Sequence, residues 1–120
     1  MGTEARIRAF YAAFNNRAID AVLAEMTADV DWPNGWEGGR IAGREAVRGY
    51  WLRQWLEIDG RVEPVEITQG EDGRWTVLVH QVVRSPDGAV LADEHVHHVY
   101  TFRDELVQRM DIESVPHARS

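Results

Sequence analysis

Cysteine is missing from the 120 residues. That excludes a disulfide framework, a thiolate nucleophile and a Cys-ligated metal centre, and it makes the cytoplasm the expected compartment. Lysine is missing as well, so the 13 basic residues are all arginines, scattered along the chain rather than gathered in a patch. With a net charge of −7 and a pI near 5.1, a polyanion would be repelled, and no nucleic-acid partner is expected. No stretch approaches the roughly 18 apolar residues of a membrane span, so no membrane partner is expected either. Met1 to Arg6 lack the apolar run of a signal peptide. The sixth position is Arg6, where a myristoylation signal would carry Ser or Thr.

What is present is an ordinary globular balance, 44% hydrophobic and 28% charged, over a length that suits one domain, residues 1–120. Such a chain can bury a core without covalent staples. Five tryptophans (Trp32, Trp36, Trp51, Trp55 and Trp75) are a heavy load, and large aromatics fill cores and line ligand cavities alike.

Ile7, Phe10, Tyr11 and Phe14 repeat at helical spacing, predicting an amphipathic helix over 3–15 that Asn15-Asn16 breaks. Ile19, Val22, Leu23 and Met26 repeat the pattern and predict a second short helix. A brief extended piece, Asp29-Val30-Asp31-Trp32, stops at the turn residues Pro33-Asn34-Gly35. Residues 36–42 read as a loop. A third helix spans 44–58, with Val47, Trp51, Trp55 and Ile58 on one face. Strands follow over 61–68, 75–84, 89–103 and 106–115, separated at Asp72-Gly73, Ser85-Pro86-Asp87-Gly88 and Asp104-Glu105. Three helices with one early strand, then a four-stranded antiparallel meander, make an α+β fold with helices on one face of a sheet.

Several segments carry a family resemblance: Phe10-Tyr11-Ala12-Ala13-Phe14, Ala28-Asp29-Val30-Asp31-Trp32-Pro33, Ile41-Ala42-Gly43-Arg44-Glu45-Ala46-Val47 with Tyr50-Trp51, and the closing runs 98–104 and 107–112. The sequence resembles the SnoaL-like, ketosteroid-isomerase-like branch of the NTF2 superfamily. The resemblance implies a cone-shaped half-barrel, three helices packed on a curved, mostly antiparallel sheet with a pocket between them, and a homodimer formed through the outer sheet surface. One departure is Glu105, where the family carries glycine.

Alternation along the strand over 89–103 can be read unaided. Glu94, Val96, His98, Tyr100 and Phe102 form the more apolar set and should face the core, leaving His95 and His97 outside. His98 is then the best candidate acid or base, since imidazole titrates near neutrality. In the strand over 75–84 two readings conflict. The odd set (Trp75, Val77, Val79, Gln81, Val83) is the more apolar and turns His80 outward, whereas the resemblance, with register counted back from Asp87-Gly88, turns Leu78, His80 and Val82 inward. The second reading is taken as the expectation. Met110 and Ile112 point inward and Asp111 outward. Asp31 alternates with Trp32 and Asn34 and should meet an arginine outside.

By the same resemblance, Asn34 stands where ketosteroid isomerases hold their base aspartate, His98 replaces their oxyanion-side aspartate, and Ile112 occupies the acid position of fold-related epoxide hydrolases. Neither activity therefore transfers. The expected catalytic groups are His98, Tyr100, Asn34 and His80. The expected ligand-binding wall comprises Phe10, Phe14 and Met26, then Trp32, Trp51 and Trp55, and finally Val82, Met110 and Ile112. The ligand is a small apolar ring compound of polyketide, terpenoid or steroid type. Either a cofactor-independent isomerase, cyclase or hydrolase or a non-catalytic binding protein fits these groups. No cofactor is expected. His95-Val96-His97 has the two-imidazole spacing of some metal sites. No third ligand is evident at a supporting spacing, although Asp93, Asp111 or Glu113 could approach from a neighbouring strand. The expectation is no metal, with such a site as the minor alternative.

Overall fold

The structure, a computed structural model, describes residues 2–115. Helix α1 spans Thr3–Asn15 and buries Ile7, Phe10 and Tyr11, one stripe of its surface. It ends where Arg17 enters the left-handed region at φ 59°. The Arg17 guanidinium then ties the turn to Asp59 and to the carbonyl of Gly60, 2.9 Å away. Helix α2 is only Ile19–Leu23. Met26, expected on that helix, instead opens strand β1, Met26–Pro33. A helical spacing and a buried strand start are alike in a short apolar run, and here the sheet claims the residue: the Val107 amide donates to the Glu25 carbonyl at 2.8 Å.

The segment expected as loop over 36–42 ends in a short strand, β2, Arg40–Ala42, antiparallel to β1. Helix α3 then runs Arg44–Glu57 and buries Val47, Tyr50 and Trp51. Its N-cap, Gly43, holds φ 93° while its amide donates to the Val30 carbonyl at 2.8 Å. Glycine alone adopts that backbone at little cost.

The remaining strands are β3 (Asp59–Gln69), β4 (Trp75–Arg84), β5 (Val90–Arg103) and β6 (Leu106–Ser114). They form the expected antiparallel meander. The early strand adds to it on the far side, giving a six-stranded sheet ordered β2-β1-β6-β5-β4-β3, with β1 parallel to β6. The helices cover one face, where the core gathers Met26, Val30, Val77, Val79 and Tyr100 beneath α1 and α3. Asp31 points away from that core, as expected. It pairs with Arg40 at 2.6 Å and Arg109 at 2.9 Å, and Asp111 joins both arginines. These four charges clamp β2, β1 and β6 together on the outer face.

The β5–β6 turn places Asp104 at φ 51° and Glu105 at φ 68°. A tight hairpin of this hand favours glycine at its second position, and the left-handed conformation costs an ordinary residue about 1–2 kcal/mol. Glu105 returns little of that, because its contact with Arg6 is 3.3 Å long and largely exposed. Glu105→Gly is therefore expected to stabilise the fold by about 1 kcal/mol after the entropy of glycine is counted. Calorimetry should show this as a rise of ~4 °C in Tm. A fall would mean that the Arg6 ion pair outweighs the backbone strain.

Candidate functional site

Between the helices and the inner face of the sheet lies a cleft of about 720 Å³. Its depth is aromatic. Trp32 and Trp51 meet edge-on at 5.6 Å, Phe14 stands edge-on to Trp51 at 5.2 Å, and Phe10 stands edge-on to Tyr100 at 6.0 Å. Met110 and Ile112 of β6 line it as expected, Met110 buried and Ile112 near the mouth with 44% of its surface exposed. A smaller cavity of about 180 Å³ lies on the other side of Phe10 and Tyr100, which line both.

Three hydroxyl and imidazole groups sit together in the depth. The Tyr100 hydroxyl donates to the Tyr11 hydroxyl at 2.7 Å, and Tyr11 lies 2.7 Å from His98 Nδ1. A phenol has one proton. Since Tyr11 accepts from Tyr100, its own proton goes to His98 Nδ1, and the imidazole carries its proton on Nε2. The Tyr11 and His98 rings also lie nearly parallel, 5.8 Å apart. His98 Nε2 has no hydrogen-bond partner among the described residues, yet it is not one of the sealed unpaired atoms, which are Thr27 Oγ1 and Trp55 Nε1. It therefore meets the cleft as a donor. Burial lowers the His98 pKa to about 4, so the ring is neutral at pH 7. Burial likewise raises both tyrosines well above the usual phenol range.

Asn34 lines the cleft, but both ends of its amide are engaged. Its Nδ2 donates to Glu37 Oε1 at 3.0 Å, and its Oδ1 accepts the Glu37 amide at 2.7 Å. Hydrogen bonds from Arg53 and then Asn34 hold Glu37 near pKa 2. Asn34 thus fastens the loop over 34–38 as well as facing the cleft.

Four expected placements are corrected. His80 lies on the outer face, where its Nε2 is 2.6 Å from Asp93 Oδ1 and its ring stacks on His95 at 4.8 Å. Val82 shares that face, and Gln81 and Val83 take the inner positions instead. Gln81 pairs with Glu94 and Val83 with Ala92, so simple alternation along β4 turns the odd, more apolar set inward, as polarity alone indicated and against the register taken from the resemblance. Met26 is fully enclosed in the core and does not line the cleft. Nor does Trp55, which packs behind Phe14 with the Arg17 guanidinium 4.8 Å from its ring. Sequence reasoning missed Tyr11 as a polar partner. Its place in the α1 stripe was visible, but a contact across 87 positions was not.

The neutral His98 carries a pH signature. The unfolded imidazole binds a proton near pH 6.5 and the buried one only near pH 4, so between these values the unfolded state holds more protons. Stability is then complete above about pH 6.5 and falls as the pH drops toward 4, by about 3 kcal/mol in all. Urea melts across that range should show this loss, and His98→Gln should flatten it. A wild-type profile as flat as the variant's would mean that His98 is solvated.

The fold finds counterparts among known proteins. The family model of the SnoaL-like domain matches residues 7–110. No curated protein matches the chain in sequence. Among solved structures, TerC, co-crystallized with polyporic acid, is 28% identical with a TM-score of 0.80, over 94% of this chain and 91% of that one. An NTF2-like protein of unknown function from Burkholderia pseudomallei is 24% identical with a TM-score of 0.81, over 96% and 92%. A putative polyketide cyclase from Sinorhizobium meliloti is 21% identical with a TM-score of 0.73, over 87% and 89%. The architecture is NTF2-like, and the chain belongs to the SnoaL-like domain family.

Proposed function

We propose that this protein binds a small, mostly apolar ring compound in the cleft and holds one of its oxygens on His98 Nε2. The observation that carries the reading is the Tyr100–Tyr11–His98 chain. It spends the Nδ1 lone pair inside the protein and leaves a fixed N–H donor facing an aromatic cavity. Such a donor, poorly solvated and oriented beforehand, stabilises negative charge developing on a carbonyl or phenolic oxygen. The chemistry it suits is a cofactor-independent isomerisation, cyclisation or hydrolysis. A base with a pKa near 4 removes protons weakly, so His98 acts by donating a hydrogen bond rather than by abstracting a proton.

TerC supports the ligand class, as a relative at 28% identity crystallised with polyporic acid. Residues 1–120 act as one SnoaL-like domain in this reading, and a second copy covers the outer sheet face, as the resemblance to the NTF2 superfamily implies. Sedimentation should then give twice the chain mass, and a monomer at all concentrations would remove the dimer.

A second reading has its own observation. The carboxylate on the cleft wall, Glu94, lies away from the buried histidine, and that of Asp111 is turned to the outer face and held by arginines. A site without a strong base at its depth also suits binding without turnover.

Thermal melts against aromatic polyketides, terpenoids, steroids and epoxides test the site, since a ligand at 100 times its Kd stabilises by about 2.7 kcal/mol. His98→Gln is expected to lose the shift. Tyr11→Phe should cost about 2 kcal/mol of stability, because it strands the Tyr100 hydroxyl and His98 Nδ1, and it should weaken binding of the same compound. A ligand bound equally well by both variants would place recognition elsewhere. Chromatography of the bound compound over hours separates turnover from binding alone.

A further inference from the structure

Strand β5 runs from the mouth of the cleft to its depth, and one of its faces carries Glu94, Val96, His98 and Tyr100 in succession. Glu94 therefore stands on the cleft wall about 13 Å toward solvent from His98, four strand residues at ~3.3 Å each. Its neighbour across the sheet is Gln81, whose amide reaches the Glu94 carboxylate only at 3.4 Å. Other charges at the mouth are already matched. Arg40 is bound to Asp31 and Asp111, and Glu37 is held by Arg53 through two contacts, the shorter 3.0 Å. Among the described residues that line the cleft, Glu94 is the carboxylate without a cationic partner. Among the described residues, ten arginines form ion pairs with carboxylates.

We infer that Glu94 sets the polarity of the ligand's outer end: the cleft selects an elongated molecule with an oxygen acceptor at His98 and an ammonium group at Glu94, and it rejects a carboxylate there. The physical basis is a two-point match. His98 Nε2 offers a donor at the bottom, the apolar wall formed by Val96, Val83 and Val62 accommodates a hydrocarbon middle, and the unmatched charge waits at the rim. An incoming ammonium gains Coulomb attraction and gives up little solvation, because Glu94 is exposed. An incoming carboxylate meets like charge beside the apolar lip of Leu91, where no described lining residue supplies a free cation to offset it. Gln81, able to donate or accept, tolerates either group and leaves the choice to Glu94.

The inference rests on the reading of the cleft as a ligand site, and the experiment separates the two. Aryl ketones with an alkyl arm ended by an ammonium, a hydroxyl or a carboxylate, at matched lengths spanning the His98–Glu94 distance, are titrated calorimetrically into wild-type protein, Glu94→Gln and His98→Leu. The ammonium compound is expected to bind wild type about fivefold more tightly than the hydroxyl compound, the range of a partly exposed ion pair. The carboxylate compound should bind more weakly than both. In Glu94→Gln the three should converge while the hydroxyl compound keeps its affinity, and added salt should shrink the wild-type preference. Unchanged ranking in Glu94→Gln, or a carboxylate bound as well as the ammonium, would overturn the role of Glu94 and leave the cleft reading standing. Binding that survives His98→Leu undiminished, or no binding of any compound to wild type, would overturn the cleft reading and this inference with it.

Discussion

Tyr11 holds the helix layer to the sheet layer with its polar end as well as its apolar body. Its ring lies in the buried stripe of α1, and its hydroxyl stands between Tyr100 and His98 of β5. Inside an aromatic cavity, each of those polar atoms must find a partner or cost on the order of 1–3 kcal/mol. With Tyr100 donating to Tyr11, Tyr11 gives its proton to Nδ1, and Nε2 is left to donate. The position of α1 over the sheet, the neutrality of His98 and the chemical sense of the cleft follow from that single requirement. Burial supplies the enforcement, lowering the imidazole pKa to about 4 and raising the phenols.

The outer face answers to a different constraint, the supply of cations. With no lysine in the chain, every permanently cationic side chain is arginine, whose planar fork can serve several acceptors at once. Arg40 contacts the carboxylates of Asp31 and Asp111 and also donates to the Met110 carbonyl at 2.7 Å. Arg109 spans the same two aspartates. Each exposed pair contributes little alone, but together they hold the short β2 and the parallel β1 in register with β6. The cleft's second wall depends on that register, because β1 delivers Trp32 and the loop after it delivers Asn34.

Much of this was legible in the chain, and the failures are instructive. Alternation along β5 turned His98 and Tyr100 inward correctly, since that strand is regular from Ala92 to Thr101. For β4, the polarity of the residues pointed to the right face, and the register inherited from the resemblance pointed to the wrong one. Alternation along β4 puts Gln81 and Val83 on the inner face and leaves His80 and Val82 outside. Met26 failed for another reason. Its spacing suits a helix, but the chain leaves the helix after Leu23 and β6 recruits the next residues through the backbone. Trp55 kept its helical face, yet Phe14 stands between it and the cleft.

The sequence by itself determined the helix stripes, the four-stranded meander, the inward histidine and the exclusion of thiol chemistry. These follow from local periodicity and from residue inventory, which act over a few positions and need no partner. Tertiary structure alone decided that Tyr11 would donate its proton to His98 Nδ1, that Asn34 would be fastened to Glu37, and that Glu94 would have no cationic partner among the described residues. Those outcomes depend on groups far apart in the chain arriving within hydrogen-bond reach, or failing to, and on the withdrawal of water that makes each arrival count.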